Sequence, residues 1–363
     1  MSLDNILKQC DGKEIYVYGC GLHGMIVTSW VDSHGKNIKG IVISDRKHRE
    51  IEEYITIEKN KLDVLEINDV KCVDKTNVLF INTVVAGKES VEKLLYERDF
   101  AVITDIDDYL PEIIQEFGTY CCEKLGINPK DDFLTIGNVR CYNPLDINEP
   151  FLAMIGDELL PLINETFLMS EGPYEYGNVI CNPGDVVIDT GTNVGYFACY
   201  AANKGCKVYA CEPDRHAIVA LMEQQKLYPE IEIIEKGVSD KCGEITFHEM
   251  ELSTHSNIDR VDKLVGVCEE AATTTIELTT IDDIVDTYKL SCVNYINADI
   301  EGSERYMLKG AAKTLKTFAP KLAICTYHCP DDKEVLEQII KEANPEYVVE
   351  HRWRKLYAYV PEK

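Results

Sequence analysis

Two carboxylates bracket a glycine-rich turn. The run Val186–Val187–Ile188 ends in Asp189, Gly191 and Gly195 follow, and Glu212 closes a second apolar run, Lys207–Cys211, 17 residues after Gly195. A strand–turn–helix–strand unit of this layout holds a nucleoside, with the second acid accepting from the ribose hydroxyls and the turn taking the charged tail. Asp189 stands two residues ahead of the first glycine, where it would repel a pyrophosphate and attract a cation. S-adenosylmethionine, with its sulfonium and α-ammonium, has that sign, so methyl transfer is the leading reading. Gly191 and Gly195 are read as letting the backbone pass close to the ligand. Asn193 is placed to offer an amide to the ligand's carboxylate. Asp240, after a third strand, is placed to accept from an adenine amine.

A second cluster is Asn297–Ala298–Asp299–Ile300–Glu301–Gly302–Ser303–Glu304. It falls at the carboxyl end of a strand, where open α/β sheets keep their chemistry. Helix capping accounts for Glu301 and Glu304. It does not account for Asp299 at the end of an apolar strand. His328, just past the strand Lys321–Tyr327, is the candidate general base, since methyl transfer to an alcohol must remove a proton and an imidazole titrates in the right range. Asp299 either orients it or takes the proton itself, and His351 is a second candidate. A divalent metal on Asp299 and Glu301 is an alternative way to acidify the hydroxyl, although two acids alone make an incomplete ligand set.

These residues need a scaffold of alternating elements. From about residue 171, strands are predicted at 186–189, 207–211, 232–238, 244–249, 274–279, 293–299 and 321–327, with helices at 194–204, 214–228, 281–288, 303–318 and 331–343. Tyr347–Glu350 and Leu356–Val360 lie too close for a crossover helix and must pair antiparallel. The first 117 residues read as a smaller α/β domain with strands at 14–18, 38–44, 78–84 and 101–105 and helices at 25–33, 90–98 and 108–117. Residues 118–170, broken by Pro129, Pro144, Pro150 and Pro161, read as a partly helical connector, with Phe151–Phe167 as one or two short helices. The expected fold class is α/β: a parallel Rossmann-like sheet with an antiparallel terminal hairpin over 171–363, behind a small N-terminal Rossmann-like domain.

Asp189–Gly195, Glu212–Pro213, Ser239–Asp240, Asp299–Glu304 with Leu308–Lys309–Gly310, and Tyr327–His328 together resemble FkbM-type methyltransferases. The resemblance covers about residues 171–363 in order. It implies a class I methyltransferase fold, S-adenosylmethionine as cofactor and methylation of a hydroxyl on a sugar, polyketide or other small molecule. It carries Asp189, Gly191, Asn193, Gly195, Glu212 and Asp240 as cofactor contacts. One departure is Asn297, where relatives usually have Lys.

In the N-terminal domain, Gly19–x–Gly21–x–x–Gly24 follows a strand and Asp45 ends the next one, which fits a dinucleotide pattern in context. It resembles Rossmann-like domains found beside sugar-modifying enzymes. This keeps two rivals open: an NAD(P)- or nucleotide-sugar-dependent enzyme using that domain, and a degenerate methyltransferase that only binds.

The net charge of −26 over 363 residues opposes nucleic-acid and anionic-membrane partners. The one basic run is His351–Arg352–Trp353–Arg354–Lys355. No stretch is apolar enough to span a membrane, and the charged start lacks a signal-peptide core. Fifteen Cys without a CxxC pair read as buried thiols in a reducing cytoplasm rather than a zinc site. The acceptor's identity and the oligomeric state stay open, a homo-oligomer included.

Overall fold

The computed structural model describes residues 2–44, 54–57, 60–71, 74–144, 172–249, 257–258 and 272–361. The predicted helices within Phe151–Phe167, the acid Asp45 and most of the loop 251–270 lie outside the described residues. The described chain up to residue 127 forms one compact unit, and residues 128–144 with those from 172 onward form a second.

The first unit contains α1 (Leu3–Gln9), β1 (Glu14–Tyr18), α2 (Leu22–Ser33), β2 (Ile38–Ile43), β3 (Tyr54–Ile57), β4 (Asn60–Glu66), β5 (Val78–Asn82), α3 (Lys88–Glu97), β6 (Ala101–Ile103) and α4 (Leu110–Leu125). Its sheet runs β3-β4-β2-β1-β5-β6, parallel except where β3 meets β4. The buried runs Ile15–Tyr18 and Val78–Asn82 are what strands covered on both faces require. Helix α4 continues past Phe117, where sequence reading stopped it. Ile113, Phe117, Cys121 and Cys122 continue one buried stripe, and Gly126 closes it at φ +67°.

The turn after β1 shows why its glycines are there. A Cβ on Gly24 would fall inside the carbonyl of Gly19, and one on Gly19, at φ +115°, would lie 2.7 Å from Thr83 Oγ1. A Cβ on Gly21 would meet nothing within 4 Å, at an ordinary φ of −77°. Gly24→Ala is therefore expected to destabilise this unit by about 1–3 kcal/mol through overpacking, and Gly21→Ala by no more than about 0.5 kcal/mol. Urea unfolding followed by Trp30 fluorescence checks this, since Trp30 is fully buried in the first unit.

The second unit opens with a hairpin, β7 (Phe133–Ile136) and β8 (Val139–Tyr142). Then follow β9 (Val186–Thr190), α5 (Tyr196–Asn203), β10 (Lys207–Cys211), α6 (Arg215–Leu227), β11 (Ile231–Ile234), β12 (Gly237–Val238), β13 (Gly243–Glu249), β14 (Asn257–Ile258) and β15 (Ala272–Thr279). The chain continues with α7 (Ile281–Tyr288), β16 (Tyr295–Ala298), α8 (Glu304–Lys309), α9 (Ala312–Thr317), β17 (Lys321–Cys325), α10 (Asp332–Ala343), β18 (Val348–Arg352) and β19 (Lys355–Tyr359). The main sheet has the order β11-β10-β9-β16-β17-β19-β18, parallel apart from β19, which runs against both neighbours. The predicted terminal hairpin is present, with β19 inserted between β17 and β18. The fold is α/β as expected.

One face of this sheet (Ile188, Ile296, Ala298, Leu322, Ile324, Leu356, Ala358) packs on Met307, Leu308, Leu336 and Ile340 of α8 and α10. Strand alternation sends Asp189 and its neighbour Asn297 to the other face. Buried Gln224 of α6 ties the early hairpin into this unit, donating to Tyr142 O at 3.0 Å and accepting from Tyr142 N at 2.8 Å.

Two elements divide where single ones were expected. The strand predicted at 232–238 splits into β11 and β12, because Lys236 N–H turns back to Ile234 O at 2.7 Å and β12 joins a second sheet, β12-β15-β13-β14. The helix predicted at 303–318 breaks into α8 and α9 at Gly310. A Cβ there would fall inside Ser239 O, and Asp282 takes over the freed end, accepting from Thr314 N at 2.9 Å. Among the described residues no helix is long and apolar enough to cross a membrane, and the thirteen described cysteines are free thiols.

Candidate functional site

The strand order of the second unit reverses between β9 and β16, so the crevice of this sheet lies at the carboxyl ends of those two strands. Asp189 is the fourth residue of β9 and is 1% exposed. Its Oδ1 accepts from Asn297 Nδ2 at 2.9 Å, while its Oδ2 is buried with no hydrogen-bond partner. Burial pushes its carboxyl up to about 6, against the opposing pull of Asn297, Thr192 and the buried Lys355. A buried carboxylate oxygen left unpaired costs on the order of 1–3 kcal/mol and invites a cationic or hydrogen-bond-donating group.

Glu212, just past β10, is also buried. Its Oε2 accepts from Asn193 N at 2.8 Å and its Oε1 from Asp214 N at 2.8 Å. One carboxylate thus fastens the glycine turn to the start of α6, with lone pairs left over for further donors. Burial pushes it up to about 7 despite those two amides, with the Asp214 and Asp189 charges adding to the rise. Asn193 holds φ +52°, a left-handed conformation that Asn tolerates better than most residues.

The two glycines of the turn serve packing within the chain. A Cβ on Gly191 would fall inside the Asp299 carbonyl, and one on Gly195 would lie 2.6 Å from Leu221 Cδ1. Sequence reading gave them to ligand approach. The Cβ direction of Gly191 faces the Asp299 carbonyl after β16 and that of Gly195 faces Leu221 and Gln224 of α6, so packing within the chain also requires them. Asp240 is half-buried after β12, with Ser239 Oγ donating to it at 3.3 Å.

The second cluster gathers around one imidazole. His328 Nε2 lies 3.5 Å from Asp299 Oδ1 and 3.2 Å from Glu301 Oε2, and Nδ1 lies 3.1 Å from Glu304 Oε1. Burial alone would lower this imidazole, but Glu304, Glu301 and Asp299 outweigh it and push it up to about 12. With no other cation present the ring keeps its proton at neutral pH, so it is not a free general base of the kind expected from an ordinary imidazole. Tyr327 OH reaches both Asp299 oxygens at 3.4 Å, and the Arg354 guanidinium lies 4.3 Å over the Tyr327 ring. Glu301 sits at φ +52°, a strained conformation for a non-glycine residue.

Asp299, Glu301 and His328 are therefore brought together, as are Asp189, Asn193 and Glu212. His351 pairs instead with Glu337 of α10 at 3.0 Å. Sequence reading missed Asn297 as the partner of Asp189, although their strands' shared register makes them neighbours. It also left Glu304 as a helix cap. Glu304 does accept from Ile300 N at 2.9 Å, and the same Oε1 faces His328. In the first unit, Gly19, Gly21 and Gly24 form the turn after β1 as predicted.

Residues 189–350, which span both clusters, match the family model described as the methyltransferase FkbM domain. Residues 189–350 are thus similar to the FkbM methyltransferase domain. Over 160 residues it is 25% identical to the hexuronic acid methyltransferase AglP of Haloferax volcanii, across 44% of this chain and 62% of that protein. The chain thus spans less than two thirds of that relative's length. Among solved structures, methyltransferase FkbM from Methylobacillus flagellatus KT aligns over 98% of this chain and 92% of its own, with 15% identity and a TM-score of 0.42. Aeropyrum pernix fibrillarin, in complex with natively bound S-adenosyl-L-methionine, aligns over 50% of this chain and 68% of its own, with 10% identity and a TM-score of 0.30. The matched span contains the three strand-end acids Asp189, Glu212 and Asp299.

Proposed function

We propose that the FkbM domain transfers a methyl group from S-adenosylmethionine to a hydroxyl oxygen of a sugar or glycan. The observation that carries this reading is the pair of buried acids at adjacent strand ends, Asp189 and Glu212, with Asp189 Oδ2 buried and unpartnered. Such a pair suits a ligand with a cation at one end and a diol at the other. The match of residues 189–350 to the FkbM family model supports the reaction class, and the hexuronic acid named for the relative supports a sugar acceptor.

Bound S-adenosylmethionine supplies a methyl carbon made electrophilic by its sulfonium. Asp189 attracts the positive end, Glu212 accepts from the ribose hydroxyls, and Asn193 and Asp240 bracket the rest. The Asp299–Glu301–His328 cluster faces the acceptor hydroxyl, positions it in line, and takes its proton on a carboxylate as the carbon–oxygen bond forms.

The test uses protein stripped of bound small molecules. Calorimetry with S-adenosylmethionine should give one site per chain, and labelled methyl groups should pass to hydroxyls in a panel of neutral glycosides and hexuronides. Absence of heat with either S-adenosylmethionine or S-adenosylhomocysteine overturns the cofactor assignment. Cofactor binding with no labelled product across the panel favours a binding protein without activity.

A further inference from the structure

One proton transfer does not need three carboxylates around one imidazole. Asp299, Glu301 and Glu304 all lie within 3.5 Å of His328, whose side chain is 4% exposed, and Glu304 is fully buried. Neither ring nitrogen of His328 nor Glu304 Oε2 has an aligned hydrogen-bond partner among the described residues. One ligand atom each from Asp299, Glu304 and His328 lie within 4.8 Å of one another. Two ligands on opposite sides of a cation bound at about 2.0–2.4 Å would stand about 4–4.8 Å apart, so the three atoms fit around a single ion. Three carboxylates against one imidazole also leave excess negative charge in a pocket nearly closed to water, and such charge needs an answering cation.

The supports are fixed. Asp299 directly follows β16 and its carbonyl seats Gly191, while Glu304 is pinned by Ile300 N–H. Tyr327 OH holds the Asp299 carboxylate from outside the cluster, as groups around a metal's ligands commonly do. Two carboxylates and one imidazole form a mixed oxygen–nitrogen set suited to Mn²⁺ and similar divalent cations rather than to soft metals.

We propose that Asp299, Glu304 and His328 bind a divalent cation of the Mn²⁺ class at the carboxyl edge of the sheet. Its role rests on the methyl-transfer reading; its binding does not. Held there, the cation polarises the acceptor hydroxyl. The O–H bond breaks toward Glu301, which is 27% exposed and is left outside the ligand set. The new O–C bond forms as the C–S bond breaks to a neutral thioether, so no oxidant or reductant is needed.

The full chain, freed of metals with a chelator and dialysed, is titrated with Mn²⁺ and followed by the free-ion electron paramagnetic resonance signal and by calorimetry. One Mn²⁺ per chain is expected, with affinity falling at least tenfold in Glu304→Gln and in Asp299→Asn. S-adenosylhomocysteine binding in the same variants certifies that they are folded. Asp189→Asn is expected to keep Mn²⁺ binding while losing S-adenosylmethionine, which separates failure of the metal site from failure of the cofactor reading. A wild-type chain that leaves the free Mn²⁺ signal unchanged overturns the proposal. Folded Glu304→Gln and Asp299→Asn variants that bind Mn²⁺ as tightly as wild type overturn it equally.

Discussion

Replacing Asp189 by asparagine is expected to abolish S-adenosylmethionine binding and at the same time to raise the stability of the ligand-free protein. The two effects share one cause. Asp189 is buried, and its carboxyl is pushed up to about 6, against about 3.9 in an unfolded chain. A raised carboxyl contributes stability that is full below the unfolded value and is lost as pH rises through the folded one. At pH 7 the ionised group therefore costs the empty fold about 2–3 kcal/mol. Asparagine removes that cost and still accepts from Asn297 Nδ2. It also removes the charge a cationic ligand needs, and truncating one member of a buried charged contact costs about 2–5 kcal/mol of affinity, or at least about thirtyfold. Glu212→Ala should weaken binding by a similar factor. Glu212 is pushed up to about 7, so wild-type affinity should rise about tenfold per pH unit from 6 to 7 and level off above. Calorimetry across pH 5.5–8.5 and melting curves without ligand check both halves. A flat affinity profile, or a ligand-free Asp189→Asn protein that melts lower than wild type, would count against this account.

What could be read from the residues beforehand follows a physical division. The unit from Val186 to Glu212 was legible because both its strands are short apolar runs ended by acids, and the turn between them is marked by glycines that no other residue can replace. The β18–β19 pairing was legible because five residues cannot carry a crossover. The break at Gly310 and the switch of β12 into another sheet were not, since each depends on a contact with a distant segment, Ser239 in one case and Leu278 in the other. The hairpin of β7 and β8 was legible in principle: Leu134, Ile136, Val139 and Cys141 are buried while Thr135 and Arg140 are exposed. The flanking Pro129 and Pro144 and the short length of its strands hid that alternation.

The site divides in the same way. Residue types at strand ends identified Asp189, Glu212, Asp299 and His328, because the carboxyl edge of a parallel sheet is a fixed address. Charge state was not legible. Whether His328 titrates as an ordinary imidazole depends on Glu301 and Glu304 folding back over it, and that requires a turn in which Glu301 takes a left-handed φ. Nor could the glycine turn be assigned to packing before Asp299 was seen beneath Gly191.

Glu301→Gln is expected to lower kcat by about 10²–10⁴-fold with S-adenosylmethionine affinity unchanged. Glu301 is the cluster carboxylate that neither seats the glycine turn, as Asp299 does, nor lies fully buried against the imidazole, as Glu304 does. It stays 27% exposed beside His328, where an acceptor can reach it. Its φ of +52° carries a strain of about 1–2 kcal/mol for a residue with a Cβ. Glycine relieves that strain and gives back roughly 0.5–1 kcal/mol in unfolded-chain entropy. Glu301→Gly should therefore be as stable as wild type or more so, yet as inactive as Glu301→Gln. A strained carboxylate kept where glycine would fold better is the mark of a position held for chemistry. The pH dependence of kcat, measured with cofactor saturating, supplies the second reading. His328 is held as a ligand when the cation is bound and is pushed up to about 12 without it, so in neither state should a limb appear in the ordinary imidazole range near 6.5. A step there that disappears in His328→Asn would return the proton to the histidine, and a fully active Glu301→Gln enzyme would remove Glu301 from the reaction.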